Sequence, residues 1–93
     1  MASKAVQQEI QIINKRGLHA RASARFAKLA EQFDAQITVS KDGMKVCATS
    51  IMGLLLLVAA KGDKIIIQAS GNMAEEAVHS LASLINNRFE EDI

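Results

Sequence analysis

The 93-residue sequence has no proline, tryptophan or tyrosine, one cysteine, and only three aromatic residues, all of them phenylalanine. With no proline-rich or low-complexity tract to mark a linker, a chain of this length suits one domain, residues 1–93. A single cysteine excludes an internal disulfide and any metal site built from several thiolates, and it favours a reducing compartment such as the cytoplasm. The scarcity of aromatic side chains leaves little that could stack on nucleic-acid bases.

Excess charge and long hydrophobic runs are also missing. Eleven Lys and Arg residues against ten Asp and Glu residues leave a formal charge of +1, whereas a general nucleic-acid binder would carry a basic surplus. The most apolar stretch, 51–60, contains Gly53, stops at Lys61 and is about half of the ~20 residues that span a bilayer. The N-terminus has no apolar core of the kind that a signal peptide needs. We therefore expect a cytoplasmic protein that neither binds nucleic acid nor inserts into a membrane.

The chain does contain 49% apolar residues, which excludes a disordered chain and allows a packed core. Segments rich in β-branched residues are typical of strands, and here they cover 6 and 9–13, 37–39, 44–48 and 64–69. An Asp42-Gly43 pair separates the second segment from the third and is a strong hairpin signal. Cys47, among small apolar residues of the third segment, is interpreted as a buried hydrophobic side chain.

Helices are predicted between and after these strands. Apolar residues recur at three- and four-residue spacing over 22–33, which is typical of an amphipathic helix. Ser50 can cap a short and very apolar helix that runs through Leu57.

A last helix is predicted after Asn72, which together with Glu75 resembles a capping box, and this helix carries Phe89 on its inner face. The order of elements is then β-α-β-β-α-β-α. Helices with wide apolar faces need one shared sheet to cover. The sequence therefore predicts a two-layer α+β sandwich, in which three helices lie on one face of a four-stranded, mainly antiparallel sheet.

Two histidines are candidates for chemistry. His79 falls inside the last helix but off its apolar stripe, as expected of a solvated helix residue. His19 falls at the N-cap position of the first helix, where Ser, Thr, Asp or Asn is preferred. One interpretation is that His19 is simply a poor cap; the other is that its imidazole is needed for a reaction.

The surroundings of His19 favour a reaction with phosphate. A helix N-terminus offers unpaired backbone N–H groups and the positive end of the helix dipole, and such places bind phosphate. Residues 1–28 contain six basic side chains and one acid, a local charge of +5, which leaves −4 for the rest of the chain. Arg21 stands two residues after His19. Because an imidazole nitrogen is a competent nucleophile at neutral pH, the hypothesis is that His19 accepts a phosphoryl group.

The segment NKRGLHARASARF, which contains His19, resembles the active-site segment of the HPr family, the histidine phosphocarriers of the bacterial phosphoenolpyruvate:sugar phosphotransferase system. The segment TSIMGLLLLVAAKGDKI resembles the second signature of that family, with Ser50 at its regulatory serine. The two motifs occur in the same order and at similar spacing, and the likeness covers essentially the whole chain.

The resemblance implies an open-faced β-sandwich and a phosphoryl relay. Enzyme I, phosphorylated from phosphoenolpyruvate, would transfer the phosphoryl group to Nδ1 of His19, and an EIIA domain would then take it. Arg21 would pair with the phosphoryl oxygens, and the backbone N–H groups of Ala20 and Arg21 would complete the cradle. Such a protein is a carrier rather than an enzyme and needs no metal or cofactor. Ala22 stands where the family usually has proline, which leaves the detailed loop geometry open and predicts a slightly less rigid site.

The helix after Ser50 is apolar on all sides, more than a short surface helix can bury against one sheet. Part of it is expected in the core, namely Ile51, Leu54 and either Leu57 or Val58. The rest is expected to form an exposed patch for partner docking, with Met52 and Leu55 as its first choices. The full predicted docking surface consists of Ala20, Ala24, Ile51, Met52, Leu55 and Leu56.

Ser50 is interpreted either as a plain helix cap or as a site for an HPr kinase/phosphorylase, where phosphate would place negative charge beside the docking patch. The main alternative to the sugar-branch carrier is the nitrogen-branch carrier, NPr, whose C-terminal segment the sequence INNRFEED resembles. A non-catalytic regulator that uses the same surface is a second alternative, and the presence of both His19 and Arg21 argues against it. A small ligand-binding or nucleic-acid-binding module is disfavoured by the charge balance and the scarcity of aromatic residues. A carrier that must leave each partner quickly is expected to be a monomer that docks transiently.

Overall fold

A computed structural model describes residues 5–91 of the chain. It contains four strands, three α-helices and a short 3₁₀ turn. The strands are β1 (Ala5–Gln11), β2 (Gln36–Lys41), β3 (Met44–Cys47) and β4 (Lys64–Ser70). The helices are α1 (Ala20–Ala30), α2 (Ile51–Leu56) and α3 (Ala74–Asn86), and the chain then forms the C-terminal turn, Arg88–Glu90. The predicted order β-α-β-β-α-β-α is confirmed.

The strands form one antiparallel sheet in the order β1-β4-β2-β3, so that β4 lies between β1 and β2. Burial alternates along β4: Ile65, Ile67 and Ala69 face the helices and are buried, whereas Ile66 and Gln68 face the other side and are half-buried. The three helices cover one face of the sheet, and their apolar side chains join those of the strands in one core cluster. The predicted open-faced α+β sandwich is therefore confirmed.

The hairpin between β2 and β3 also forms as predicted. Asp42 and Gly43 both have positive φ, 51° and 86°, which is the backbone of a two-residue type I′ turn. Lys41 and Met44 pair across the turn.

Four expectations about local structure are wrong. The first strand ends at Gln11 rather than at residue 13, since Ile12 N–H already donates to the carbonyl of Asp63 in a loop. Asn72 is not the N-cap of α3, because the N-cap is Met73, and the side-chain amide of Asn72 donates to the carboxylate of Asp34 at 3.0 Å.

The third error concerns the burial of one residue, and the fourth concerns the element on which another residue lies. Cys47 is exposed, because it lies on the edge strand β3 opposite Thr38, and alternation along the strand turns Val46 rather than Cys47 towards the helices. Phe89 is buried as expected, but it lies on the C-terminal turn, after α3 has ended. None of the helices described between residues 5 and 91 is long and apolar enough to cross a membrane.

Candidate functional site

The loop before α1 is held against the segment that follows α2. Gly17 has φ +65°, and a Cβ at this position would lie 2.4 Å from the carbonyl oxygen of Ala59, so only glycine fits. Leu18 is buried, and its N–H donates to the same carbonyl at 2.8 Å. The backbone that enters His19 is therefore fixed on both sides of Gly17.

His19 is the N-cap residue of α1, as the sequence predicts. Its side chain makes no capping hydrogen bond, and 23% of the side chain is exposed. The first helical hydrogen bond runs from Ser23 N–H to the carbonyl of His19 at 2.8 Å, so the preceding amides of Ala20 and Arg21 have no acceptor within the helix. Both of these residues are exposed, which leaves the N–H groups and the positive end of the helix dipole beside the imidazole.

The basic residues near His19 have different environments. Arg21 and Arg16 are exposed, and among the described residues Arg21 forms no ion pair, so its guanidinium is available to a ligand. Arg25 instead donates to the carbonyl of Phe89 and lies 4.0 Å from the carboxylate of Glu90. Arg21 is therefore exposed and unpaired among the described residues, whereas Arg25 is used to hold the C-terminal turn.

One carboxylate reaches the imidazole from the end of the chain. Glu91 Oε2 contacts Nε2 of His19, and Glu91 Oε1 accepts from Nδ2 of Asn14 at 3.0 Å. Burial raises the pKa of the Glu91 carboxyl, but the hydrogen bonds from Asn14 and His19 and the charges of His19 and Arg16 outweigh it, so that the pKa lies below its ordinary value. Glu91 is therefore an anion at neutral pH.

Asn14 completes this cluster. Its side chain is fully buried, and its Nδ2 donates both to Glu91 and to the carbonyl of Gly17, the latter at 2.8 Å. Neither Asn14 nor Glu91 is assigned a role from the sequence. No local signal could have paired them, because the contact joins residues that are 77 positions apart.

The helix α2 displays an apolar surface beside this site. Its exposed apolar residues are Ile51 (44% exposed), Met52 (69%), Leu56 (60%) and, just after the helix, Val58 (75%). We call these four residues the α2 patch. Leu54 and Leu57 are buried as expected, but Ile51 is largely exposed rather than in the core, because α2 starts at this residue and turns it away from the sheet.

The other residues of the predicted docking surface differ in exposure. Ala20 is exposed, whereas Ala24 and Leu55 are only half-buried. Met52 and Leu56 are therefore the most exposed residues of the predicted docking surface on α2, and Leu56 is more accessible than Leu55.

Ser50 is the N-cap of α2, and its hydroxyl accepts from the N–H of Gly53 at 2.9 Å. His79 is exposed on α3, as predicted. Among residues 5–91 no group of three or more His, Cys, Asp or Glu side chains is arranged to hold a metal ion.

Together, these features define a class of small α+β proteins that present one imidazole, at a helix N-terminus and beside an apolar patch, to their partners. Comparison with known proteins identifies the family. Residues 6–87 match the family model described as "PTS HPr component phosphorylation site". The chain belongs to the HPr family of phosphocarrier proteins.

Relatives named HPr and relatives named NPr are both similar to this chain over almost their whole length. The chain is 46% identical to the phosphocarrier protein HPr of Neisseria meningitidis serogroup A, over 92% of this chain and 97% of the relative. It is 39% identical to the phosphocarrier protein NPr of Escherichia coli K12, over 94% and 98%.

Solved structures agree with the fold. A crystal structure of HPr from Thermoanaerobacter tengcongensis has a TM-score of 0.90 and 42% identity, covering 95% of this chain and 99% of that chain. A structure of an HPr dimer from the same organism has a TM-score of 0.75 and 45% identity, covering 88% and 94%.

Proposed function

We propose that the protein, as a single phosphocarrier domain of residues 1–93, accepts a phosphoryl group on Nδ1 of His19 from phosphorylated Enzyme I and passes it to an EIIA domain. The observation that carries this proposal is the placement of His19: a partly exposed imidazole at the N-cap of α1, with no capping bond and with the free amides of Ala20 and Arg21 beside it. These backbone amides, the positive end of the α1 dipole and the guanidinium of Arg21 would all stabilise the dianionic phosphoryl group on His19.

The carrier performs no net reaction on a metabolite, and phosphoryl transfer proceeds by positioning and charge stabilisation in each complex. It therefore acts only together with its partners and is not an enzyme on its own. We place it in the cytoplasm as a monomer, which suits transient docking.

The direct test is incubation with Enzyme I and phosphoenolpyruvate, followed by detection of an acid-labile, base-stable phosphate. We expect labelling in the wild type and none in His19→Ala. His79→Ala is the matched control, because His79 is exposed on α3, and it should label at the wild-type rate. Labelling that survives His19→Ala, or no labelling of the wild type by any Enzyme I, would contradict the proposal and favour the non-catalytic regulator.

The same assay separates the two branches of the family. We propose the sugar branch, since identity to the HPr of N. meningitidis is 46% and identity to the NPr of E. coli is 39%. Faster phosphorylation by the nitrogen-branch Enzyme I than by the sugar-branch Enzyme I would reverse this assignment.

We also propose that a kinase of the HPr kinase/phosphorylase class regulates the carrier at Ser50. A phosphate at an N-cap is compatible with the dipole of α2, yet it adds about two negative charges next to the exposed side chains of Ile51 and Met52. We expect Ser50→Asp to remain folded and to accept phosphate from Enzyme I more slowly. Ser50→Ala adds no charge and should keep the wild-type rate, although loss of the cap costs about 1 kcal/mol of stability. Equal rates for Ser50→Asp and the wild type would refute this regulation.

A further inference from the structure

The C-terminal turn has an unusual backbone. Arg88, Phe89 and Glu90 have φ values of 56°, 54° and 65°, three successive non-glycine residues in the left-handed region. Each such residue costs roughly 1–2 kcal/mol, so the conformation must be held by contacts elsewhere. Those contacts are the fully buried ring of Phe89 and the hydrogen bond from Arg25 to the Phe89 carbonyl.

This turn brings the carboxylate of Glu91 into contact with the imidazole of His19. Only 8% of the Glu91 side chain is exposed, and each carboxylate oxygen has its own partner, Asn14 for Oε1 and His19 for Oε2. An ionised carboxylate can only accept hydrogen bonds. The ring nitrogen that faces it, Nε2, must therefore carry the proton of the neutral imidazole, which leaves the lone pair on Nδ1.

Asn14 indicates that this arrangement is built rather than incidental. Both of its Nδ2 protons are used, one on the Gly17 carbonyl and one on Glu91, while its buried Oδ1 has no partner. A buried unpaired oxygen costs about 1–3 kcal/mol. With the amide reversed, that oxygen would face two acceptors, so the observed orientation is the one that holds the carboxylate in place.

We propose that Glu91 is a positioning residue, which keeps the proton of His19 on Nε2 and thereby directs the phosphoryl group to Nδ1. This inference rests on the proposed function of His19. In the transfer step the Nδ1 lone pair forms a bond to phosphorus, while the bond from phosphorus to its donor group on Enzyme I breaks and its electron pair stays with that donor. No proton has to leave His19, because it remains between Nε2 and Glu91. The phosphorylated ring is then a cation paired with the Glu91 anion.

The first experiment measures the tautomer in the unphosphorylated full-length protein, by ¹⁵N NMR of the two histidine rings at a pH where both are neutral. We expect His19 to carry its proton predominantly on Nε2 in the wild type and in Glu90→Ala, the control that removes the neighbouring, exposed carboxylate. Glu91→Ala should lose this bias, and Glu91→Gln, which offers one acceptor oxygen instead of two, should be intermediate. His79 is exposed on α3, so its tautomer should be the same in all variants, and its ring serves as the internal reference.

The second experiment measures single-turnover phosphorylation by Enzyme I and the ratio of Nδ1- to Nε2-phosphohistidine. We expect phosphorylation of Glu91→Ala to be slower by about tenfold, the lower end of the loss found when the hydrogen-bond partner of a metal-ligating histidine is removed, and to yield some Nε2 product. An unchanged His19 tautomer in Glu91→Ala, or an unchanged product ratio, would overturn the inference. Neither result would affect the proposed function, which fails only if the wild type is not phosphorylated on His19.

Discussion

Among single residues, Val58 is held in the least favourable backbone. It follows α2 with φ +50°, a region in which a β-branched side chain is strongly disfavoured, and 75% of the residue is exposed. Val58→Gly removes the steric cost and loses little packing, so we expect the free energy of unfolding to rise by about 1 kcal/mol. For a domain of this size that corresponds to a Tm higher by roughly 4–8 °C.

A matched variant separates backbone strain from the loss of an exposed hydrophobic side chain. Val58→Ala removes the same methyl groups but keeps a Cβ. Its unfolding free energy, measured by urea titration, should therefore rise less than that of Val58→Gly. Equal gains for the two variants would mean that the left-handed backbone at this position carries no strain.

Glu91 predicts a pH dependence of stability. Its folded-state pKa lies below the ordinary value: burial raises it, but the hydrogen bonds from Asn14 and His19 and the charges of His19 and Arg16 together lower it further. A depressed pKa gives stability that is present above the unfolded-state value of about 4.3 and is lost as the pH falls through the folded-state pKa.

We therefore expect the wild type to exceed Glu91→Gln in unfolding free energy by about 1–2 kcal/mol at pH 7, from two hydrogen bonds to a charged group. The difference should shrink below about pH 4, as measured by chemical denaturation between pH 7 and pH 3. Glu90→Gln, at an exposed carboxylate, should show almost no difference at any pH. A constant gap between wild type and Glu91→Gln across this range would contradict the prediction.

At the scale of elements, the sequence predicts those features that depend on local pattern. All four strands, all three α-helices and the Asp42-Gly43 hairpin are recognisable, because hydrophobic period and turn chemistry act over a few residues. The position of His19 at an N-cap follows from the same local reasoning. The exposure of Cys47 was missed, and Ile51 was assigned both to the core and to the docking surface. Exposure depends on which neighbour covers each face, and short apolar segments do not record this.

The C-terminal turn could not be predicted in this way. Its left-handed backbone has no glycine to signal it, and its supports come from far along the chain: Arg25 contacts Phe89 across 64 positions, and His19 contacts Glu91 across 72. The position of His19 at the start of α1 can therefore be predicted from the sequence. The contact that Glu91 makes from the C-terminal turn cannot, because it depends on tertiary packing.

The burial of Phe89 should control whether this turn forms. Phe89→Ala leaves a cavity in the core, and we expect a loss of about 3–5 kcal/mol together with faster hydrogen exchange of residues 88–91. Since such a loss can unfold a small domain, Phe89→Leu provides a milder variant, with an expected loss near 1 kcal/mol. Two results together would show that the Phe89 ring does not hold the turn: hydrogen exchange of residues 88–91 in Phe89→Leu as slow as in the wild type, and a loss of less than about 1 kcal/mol of unfolding free energy in Phe89→Ala.

For the molecule as a whole, the fold brings three separate segments to one surface. The loop before α1 supplies His19, the C-terminal turn supplies Glu91, and α2 packs against α1 and supplies the exposed apolar side chains. Basic residues are concentrated in the same part of the sequence, with a net charge of +5 over residues 1–28 in a chain whose total is +1. Positive charge in this part of the chain would steer acidic partners, and an exposed apolar patch would hold them.

Met52 tests whether the α2 patch is that docking surface. It is 69% exposed, so Met52→Asp should leave the unfolding free energy almost unchanged, while burying the new carboxylate in a complex with Enzyme I would be costly. We expect KM for the carrier to rise on the order of tenfold in steady-state phosphorylation, with kcat little affected, as for loss of a central contact. Gln32→Asp introduces the same charge at an exposed position just beyond the far end of α1, and its KM should stay near that of the wild type. An equal rise in both variants would show that net charge, rather than the apolar patch, determines docking, and an unchanged KM in Met52→Asp would place the partner elsewhere on the molecule.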